Sequence, residues 1–166
     1  MIDESGFDRL YRQTAAPLRA YVVRVIGSAA RADDIVQEAY LRLLRTPPPA
    51  DDMGHLRAYL FRIASNLIHD HWRQERRERK SADLHSREPD TVSPDLSLRL
   101  DMTRVFEQLR PQQRQLMWLA YVEGADHREI AAALGLRERS VRVLLHRARR
   151  KLAALLQQRG RGAGGA

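Results

Sequence analysis

Apolar residues recur along most of this chain at intervals of three and four, the period of an amphipathic α-helix. Nowhere do they alternate at the interval of two that marks a half-buried strand. Over residues 3–26, Phe7, Leu10, Tyr11, Leu18, Tyr21, Val22 and Val25 share one side, with Pro17 as a candidate kink and Gly27-Ser28 as the stop. A second helix is predicted over 31–45, with Ile35, Val36, Ala39, Tyr40 and Leu43 on its apolar side. This start puts Asp33 and Asp34 in the first turn and Arg42 and Arg45 in the last, as the helix dipole favours. The proline-rich segment 46–54, TPPPADDMG, cannot continue a helix. A third helix follows over 55–79: Leu56, Leu60, Ile63 and Leu67 track one side, and Tyr59, Phe61 and Trp72 add aromatic surface. Ser65-Asn66, both weak helix formers, mark a candidate irregular turn in its middle.

Residues 81–95 are polar, acidic and carry two prolines, the composition of an interdomain linker. Ser93-Pro94-Asp95 is a good helix start, and Leu96, Leu100, Val105, Phe106 and Leu109 supply an apolar side. Pro111 opens another helix through Leu116, Leu119 and Ala120, ending at Glu123-Gly124. In the stretch 126–157, Asp126 and Glu129 have capping-box spacing for a short helix over 127–134, and Gly135 supplies the stop. In the long helix beyond, Val141, Leu145, Ala148, Leu152 and Leu155 form one stripe, while Arg139, Arg142, His146, Arg147 and Arg150 take the other face. Two readings fit: a helix-turn-helix whose second helix enters the DNA major groove, or an αα-hairpin with a solvated basic face. The predicted class is all-α, two small helical domains over 1–80 and 96–158, a flexible linker over 81–95, and a disordered tail over 159–166.

Charge sharpens this picture. The chain of 166 residues carries a formal charge of +8 and a pI near 10.7, which points to a polyanionic partner. The basic residues concentrate in two places. Residues 137–166 hold nine Lys or Arg against Glu138 alone, and residues 54–80 hold seven against three acids. The absence of cysteine excludes disulfides and thiolate metal sites. No apolar run approaches the roughly 20 residues that span a bilayer, and MIDESGFDRL is too acidic for a secretory leader, so the expectation is a soluble cytoplasmic protein. Candidate chemistry is sparse. His69 and His71 flank Asp70 but project about 200° apart on a helix, so they cannot share a metal. Asp33, Asp34 and Glu38 lack further ligands, and neither a phosphate-cradling glycine loop nor a nucleophile motif occurs. No enzyme, metal, cofactor or small-molecule substrate is expected.

Three blocks in order carry a resemblance: DDIVQEAYLRLL (33–44), LRAYLFRIASNLIHDHWRQERR (56–77), and the C-terminal helix-turn-helix ending SVRVLLHRARRKL (140–152). Together they resemble the extracytoplasmic-function sigma factors of bacterial RNA polymerase, the small type with only regions two and four, over about residues 5–157. The resemblance implies an alternative sigma factor that binds core RNA polymerase and directs promoter-specific initiation. It places the core-docking face at Asp34, Gln37, Glu38 and Arg42, toward the clamp of the β′ subunit, with the β flap as a second contact. It places −10 recognition at Asn66, beside a flipped-out base, with Arg62, Trp72, Arg73, Arg76 and Arg77 around it. The −35 element falls to Arg142, Val143, His146 and Arg147, and phosphates to Arg137, Arg139, Ser140, Arg149 and Arg150. The resemblance also implies an anti-sigma partner, and the spacing of Phe7, Leu10-Tyr11 and Ala32–Ile35 resembles the subgroup governed by membrane-anchored iron-uptake sensors.

Two departures stand out. Leu-Pro usually precedes the helix near 111, whereas Arg110 intervenes here. The turn before the recognition helix is Arg137-Glu138-Arg139-Ser140, without the usual glycine and with two cations near a helix N-terminus, where the dipole disfavours them unless phosphate binds. The alternative function is a stand-alone helix-turn-helix regulator, against which residues 1–80 offer no ligand-binding or receiver domain.

Overall fold

The computed structural model describes residues 2–49, 52–81 and 97–163, with backbone only for 97–101 and 163. Seven helices and no strand occur among them: α1 (Glu4–Ile26), α2 (Ala29–Arg45), α3 (Met53–Ser81), α4 (Ser97–Glu107), α5 (Pro111–Tyr121), α6 (His127–Leu134) and α7 (Glu138–Ala163). The chain divides into two compact units, one built on α1–α3 and the other on α4, α5, α7 and the N-terminal part of α6. The linker expected over 81–95 lies, beyond Ser81, outside the described residues.

The first unit is a three-helix bundle closed by Leu10, Leu18, Tyr21, Val22 and Val25 of α1, Ala32, Ala39 and Leu43 of α2, and Leu56, Leu60, Ala64 and Ile68 of α3. Two buried hydroxyl pairs cross it. Thr14 Oγ1 lies 2.6 Å from the Tyr40 hydroxyl, and the Tyr21 hydroxyl lies 2.8 Å from Ser65 Oγ. Burial pushes the Tyr40 phenol above its ordinary pKa, the hydrogen bond with Thr14 opposing it. Both pairs satisfy groups that would otherwise cost about 1–3 kcal/mol each inside an apolar core.

Several sequence expectations need correction here. Helix α3 runs through Ser65-Asn66 without an irregular turn. Ser65 is wholly buried, and its hydroxyl also lies 2.8 Å from the Phe61 carbonyl oxygen, so its backbone-seeking group is satisfied inside the helix rather than by breaking it. Helix α2 begins two residues earlier than expected, with Ser28 Oγ accepting from the Arg31 N–H, which moves Asp33 and Asp34 out of the first turn. Tyr11 is 49% exposed rather than packed in the core, its ring tilted by 52° against that of Tyr40, centroids 5.1 Å apart. Helix α7 continues to Ala163, so the tail expected to be disordered from 159 is helical over its first five residues.

In the second unit Val105, Leu109, Leu116, Leu119, Ile130, Val141, Leu145 and Ala148 are buried. The Gln113 side chain accepts from the Arg110 N–H at 3.1 Å, half of a capping box, since a guanidinium has no acceptor to return the favour. The capping box expected at α6 is complete: Asp126 Oδ1 accepts from the Glu129 N–H at 2.8 Å, and Glu129 Oε2 from the Asp126 N–H at 2.9 Å. Gly135 (φ +66°) closes α6, and the Leu136 N–H returns to the Ala131 carbonyl at 2.9 Å, the 6→1 bond of a Schellman motif. An added Cβ at Gly135 would meet no atom within 4 Å, so only its left-handed backbone resists substitution. Gly135→Ala is therefore expected to cost about 1–2 kcal/mol, seen as a lower urea midpoint with an unchanged slope.

Candidate nucleic-acid and polymerase interfaces

On α3, side chains repeat at about 100° per residue. Arg62, Asn66, Arg73 and Arg77 therefore lie within an arc of about 60°, a stripe about 22 Å long. All four are exposed, as is Arg76 at the edge of the stripe. Arg73 reaches Asp70 only at 3.8 Å, and the guanidinium groups of Arg62, Arg76 and Arg77 have no partner among the described residues. Trp72, half-buried, lies farther round the helix with its ring 5.7 Å from that of His69. His71 lies against Glu75, at 3.4 Å, and Glu75 also pairs with Arg31 of α2, which leaves this side of α3 occupied by internal contacts.

Asn66 sits on the wall of a concavity of about 270 Å³ that it shares with Arg42, Arg45, Thr46, Tyr59 and Ile63. The Tyr59 hydroxyl donates to the Thr46 carbonyl at 3.2 Å, fixing the ring and the start of the loop after α2. At the far end of that loop Asp52 accepts from the His55 N–H at 3.2 Å. That backbone bond, then the His55 ring, holds the Asp52 carboxyl below its ordinary pKa, so its contribution to the loop is complete at neutral pH and is lost as pH falls through the lowered value. The concavity offers a primary amide, an aromatic face and two cations: groups that suit a nucleobase with its phosphate. Sequence reasoning found Asn66 and missed Arg45, Thr46 and Ile63, because the loop that brings α2's end to α3 has no periodicity to read.

On α2, Asp34 and Gln37 are exposed, and Glu38 is half-buried with its carboxylate 2.8 Å from Arg42 Nε. Arg42 thus belongs to two places, the α2 outer face and the concavity at Asn66. Leu41 (39% exposed) and Leu44 (46%) join the same outer surface. With Phe7, Tyr11, Val36 and Tyr40 they line an apolar groove of about 500 Å³ between α1 and α2. These leucines lie off the 35–39–43 stripe, which is the signal that places them outward. The Arg19–Asp33 pair, 2.7 Å, closes one edge of the groove, and the bond to Asp33 raises the Arg19 pKa.

On α7 the buried stripe is Val141, Leu145, Ala148 and Leu155, with Leu152 half-buried, as the spacing predicts. Arg139, Arg142, Val143, His146, Arg147 and Arg150 are exposed, and none of these four guanidinium groups has a partner among the described residues. Ser140 lies in the first turn, half-buried, its N–H bonded to the Arg137 carbonyl at 2.9 Å. Glu138 stands in the same turn, so one carboxylate accompanies the two arginines that the dipole opposes. Arg149 is engaged differently, donating to the Tyr121 hydroxyl at 2.8 Å. The chain thus presents an unneutralised guanidinium face on the second helix of a helix-turn-helix.

Two families match the chain in order: sigma-70 region 2 over residues 10–78 and sigma-70 region 4 over residues 99–152. The chain is 35% identical over 157 residues to the ECF RNA polymerase sigma factor SigL of Mycobacterium tuberculosis, covering 91% of this chain and 89% of that one. It is 32% identical over 142 residues to EcfG of Rhodopseudomonas palustris, another ECF RNA polymerase sigma factor, covering 84% and 78%. Among solved structures its fold is similar to the sigma factor RpoE of Bartonella quintana, crystallised with the anti-sigma factor NepR. The TM-score is 0.76 at 23% identity, over 91% of this chain and 96% of that one.

Proposed function

The chain belongs to the extracytoplasmic-function sigma factors of the sigma-70 type, and from that membership we propose how its helices share the work of initiation. It is an alternative sigma factor: it binds core RNA polymerase and directs promoter-specific transcription initiation. Residues 1–80 form the unit for core binding and the −10 element, and residues 96–158 the unit for the −35 element, the matched stretches 10–78 and 99–152 falling inside these bounds. Its part is binding and placement rather than catalysis, and it works in the cytoplasm, where core enzyme and promoter DNA meet.

Asp34, Gln37, Glu38 and Arg42 form the face that docks on the β′ clamp, with Leu41 and Leu44 adding apolar area beside them. The concavity at Asn66 takes a base flipped from the −10 element: Asn66 reads its edge, Tyr59 offers a face for stacking, and Arg42 and Arg45 flank the phosphate. Arg62, Arg73, Arg76 and Arg77 hold the adjoining backbone, with Trp72 at the margin. On α7, Arg142, Val143, His146 and Arg147 face base edges, and Arg139, Ser140 and Arg150 face phosphates. Arg149, engaged with Tyr121, braces α7 against α5. The observation that carries this reading is the pair of exposed guanidinium faces on α3 and α7, where among the described residues only Arg73 has an acid partner, Asp70 at 3.8 Å. Such faces on a free protein bind any DNA, with affinity falling steeply as salt rises. An anti-sigma factor, anchored in the membrane, that covers them keeps the protein off the chromosome.

The test is reconstitution with core polymerase followed by sequencing of transcripts initiated on genomic DNA. The expected result is retention on core enzyme and initiation at a limited set of promoters sharing −10 and −35 elements. No retention on core would sink the proposal. Tight binding of the isolated protein to a palindromic duplex, without polymerase, would favour a stand-alone regulator.

A further inference from the structure

The outer face of α7 is cationic except at its centre. Taking the buried side defined by Val141, Leu145 and Ala148 as reference, the helical period of about 100° places Val143 nearly opposite. Arg139 and Arg150 lie within about 40° of Val143 on one side, and Arg147 about 40° away on the other. Val143 is 50% exposed, so it contributes little to the core of its own unit. A branched apolar side chain at the point of a recognition helix farthest from the protein's core has no donor or acceptor to offer. The major-groove edges of the four bases present one apolar group, the C5 methyl of thymine.

Resting on the assignment of α7 to the −35 element, we propose that Val143 selects a thymine in that element by packing on its C5 methyl, while the flanking arginines supply the hydrogen bonds and phosphate contacts. Specificity at that base pair then comes from apolar area removed from water rather than from hydrogen bonding. A cytosine or uracil in the same place lacks the methyl, so less apolar area is removed from water against the valine and the base is disfavoured. The arginines contribute independently at neighbouring pairs.

The test uses holoenzyme assembled from the full chain and a promoter mapped as above. Each thymine of the −35 element, on either strand, is replaced singly by deoxyuridine, which removes only the methyl and keeps every hydrogen-bonding group. One replacement is expected to lower promoter occupancy by about three- to fivefold, the size of one buried methyl. Holoenzyme carrying Val143→Ser should lose a similar factor on the natural promoter and no longer distinguish thymine from deoxyuridine at that position. If no thymine is sensitive, or if the variant keeps the full sensitivity, the proposal is overturned while promoter-specific initiation by the parent still upholds the sigma assignment. Failure of the parent to initiate with core enzyme overturns both. Because the deoxyuridine replacements are made in the DNA and read with the parent chain, that arm of the test does not depend on how the variant folds.

Discussion

Holoenzyme carrying Asn66→Ala is expected to open promoters about five- to 150-fold more slowly than the parent, corresponding to the loss of about 1–3 kcal/mol from one amide–base contact, while its affinity for core polymerase stays unchanged. Asn66 is exposed on the wall of the concavity of about 270 Å³ and is not among the buried residues of α3, so removing its amide is expected to leave the bundle intact. The residues proposed for core docking, Asp34 and Gln37, are on α2, outside the α3 stripe. The measurement is permanganate reactivity of −10 thymines with time, beside a core-binding titration. A second signature separates a base contact from a general weakening: at the pair that Asn66 reads, base substitutions should cost the parent and scarcely affect the variant. Equal opening rates for parent and variant would remove Asn66 from the site, and with it the role of the concavity.

Arg147→Ala is the counterpart on the other unit. An arginine donating in bidentate fashion to guanine O6 and N7 discriminates by about 1–3 kcal/mol per base pair, so initiation at promoters with a matching −35 element should fall by about five- to 150-fold. Promoters that rely on the −10 element should be spared. Arg150→Ala, at a proposed phosphate contact in the same face, should instead weaken binding to all sequences and lower the dependence on salt by about one counterion. The side chain of Arg147 is exposed and has no internal partner among the described residues, which makes its loss a test of DNA contact rather than of folding. Arg149→Ala should behave differently again, because its hydrogen bond to Tyr121 is internal. If Arg147→Ala and Arg150→Ala reduce every promoter alike, direct base contact by Arg147 is excluded.

How far the sequence reached differs from element to element. The α6–α7 segment was legible nearly to the residue, because capping box, turn glycine and apolar stripe all point to one local structure. The bundle of α1–α3 was legible as three helices, but its details depended on tertiary partners that spacing does not reveal. Ser65 looked like a helix breaker until Tyr21 was found beside it. Pro17 sits inside α1, which continues to Ile26 around it. Tyr11 shares the period of the core residues and yet lies at the surface, beside Phe7 and Tyr40. The tail over 159–166, expected to be disordered, is helical through Gly160 and Gly162 to Ala163. For the site, the charged stripes could be read from composition and period alone. The concavity could not, since it exists only where the proline-containing loop returns Thr46 to Tyr59.

The continuity of α3 from Met53 to Ser81 fixes the spacing of its exposed side chains. At about 1.5 Å per residue, Asn66 and Arg73 are held about 10.5 Å apart, and Asn66 and Arg77 about 16.5 Å. Nucleotides along one strand of a duplex advance about 3.4 Å each. On the proposed assignment, with the promoter strand running along α3, this rod would space the flipped base from the clamped backbone by about three to five nucleotides. Inserting a single alanine between Asn66 and Arg73 would both lengthen this interval and turn the arginines about 100° away, so bubble edge and clamped duplex would fall out of phase together.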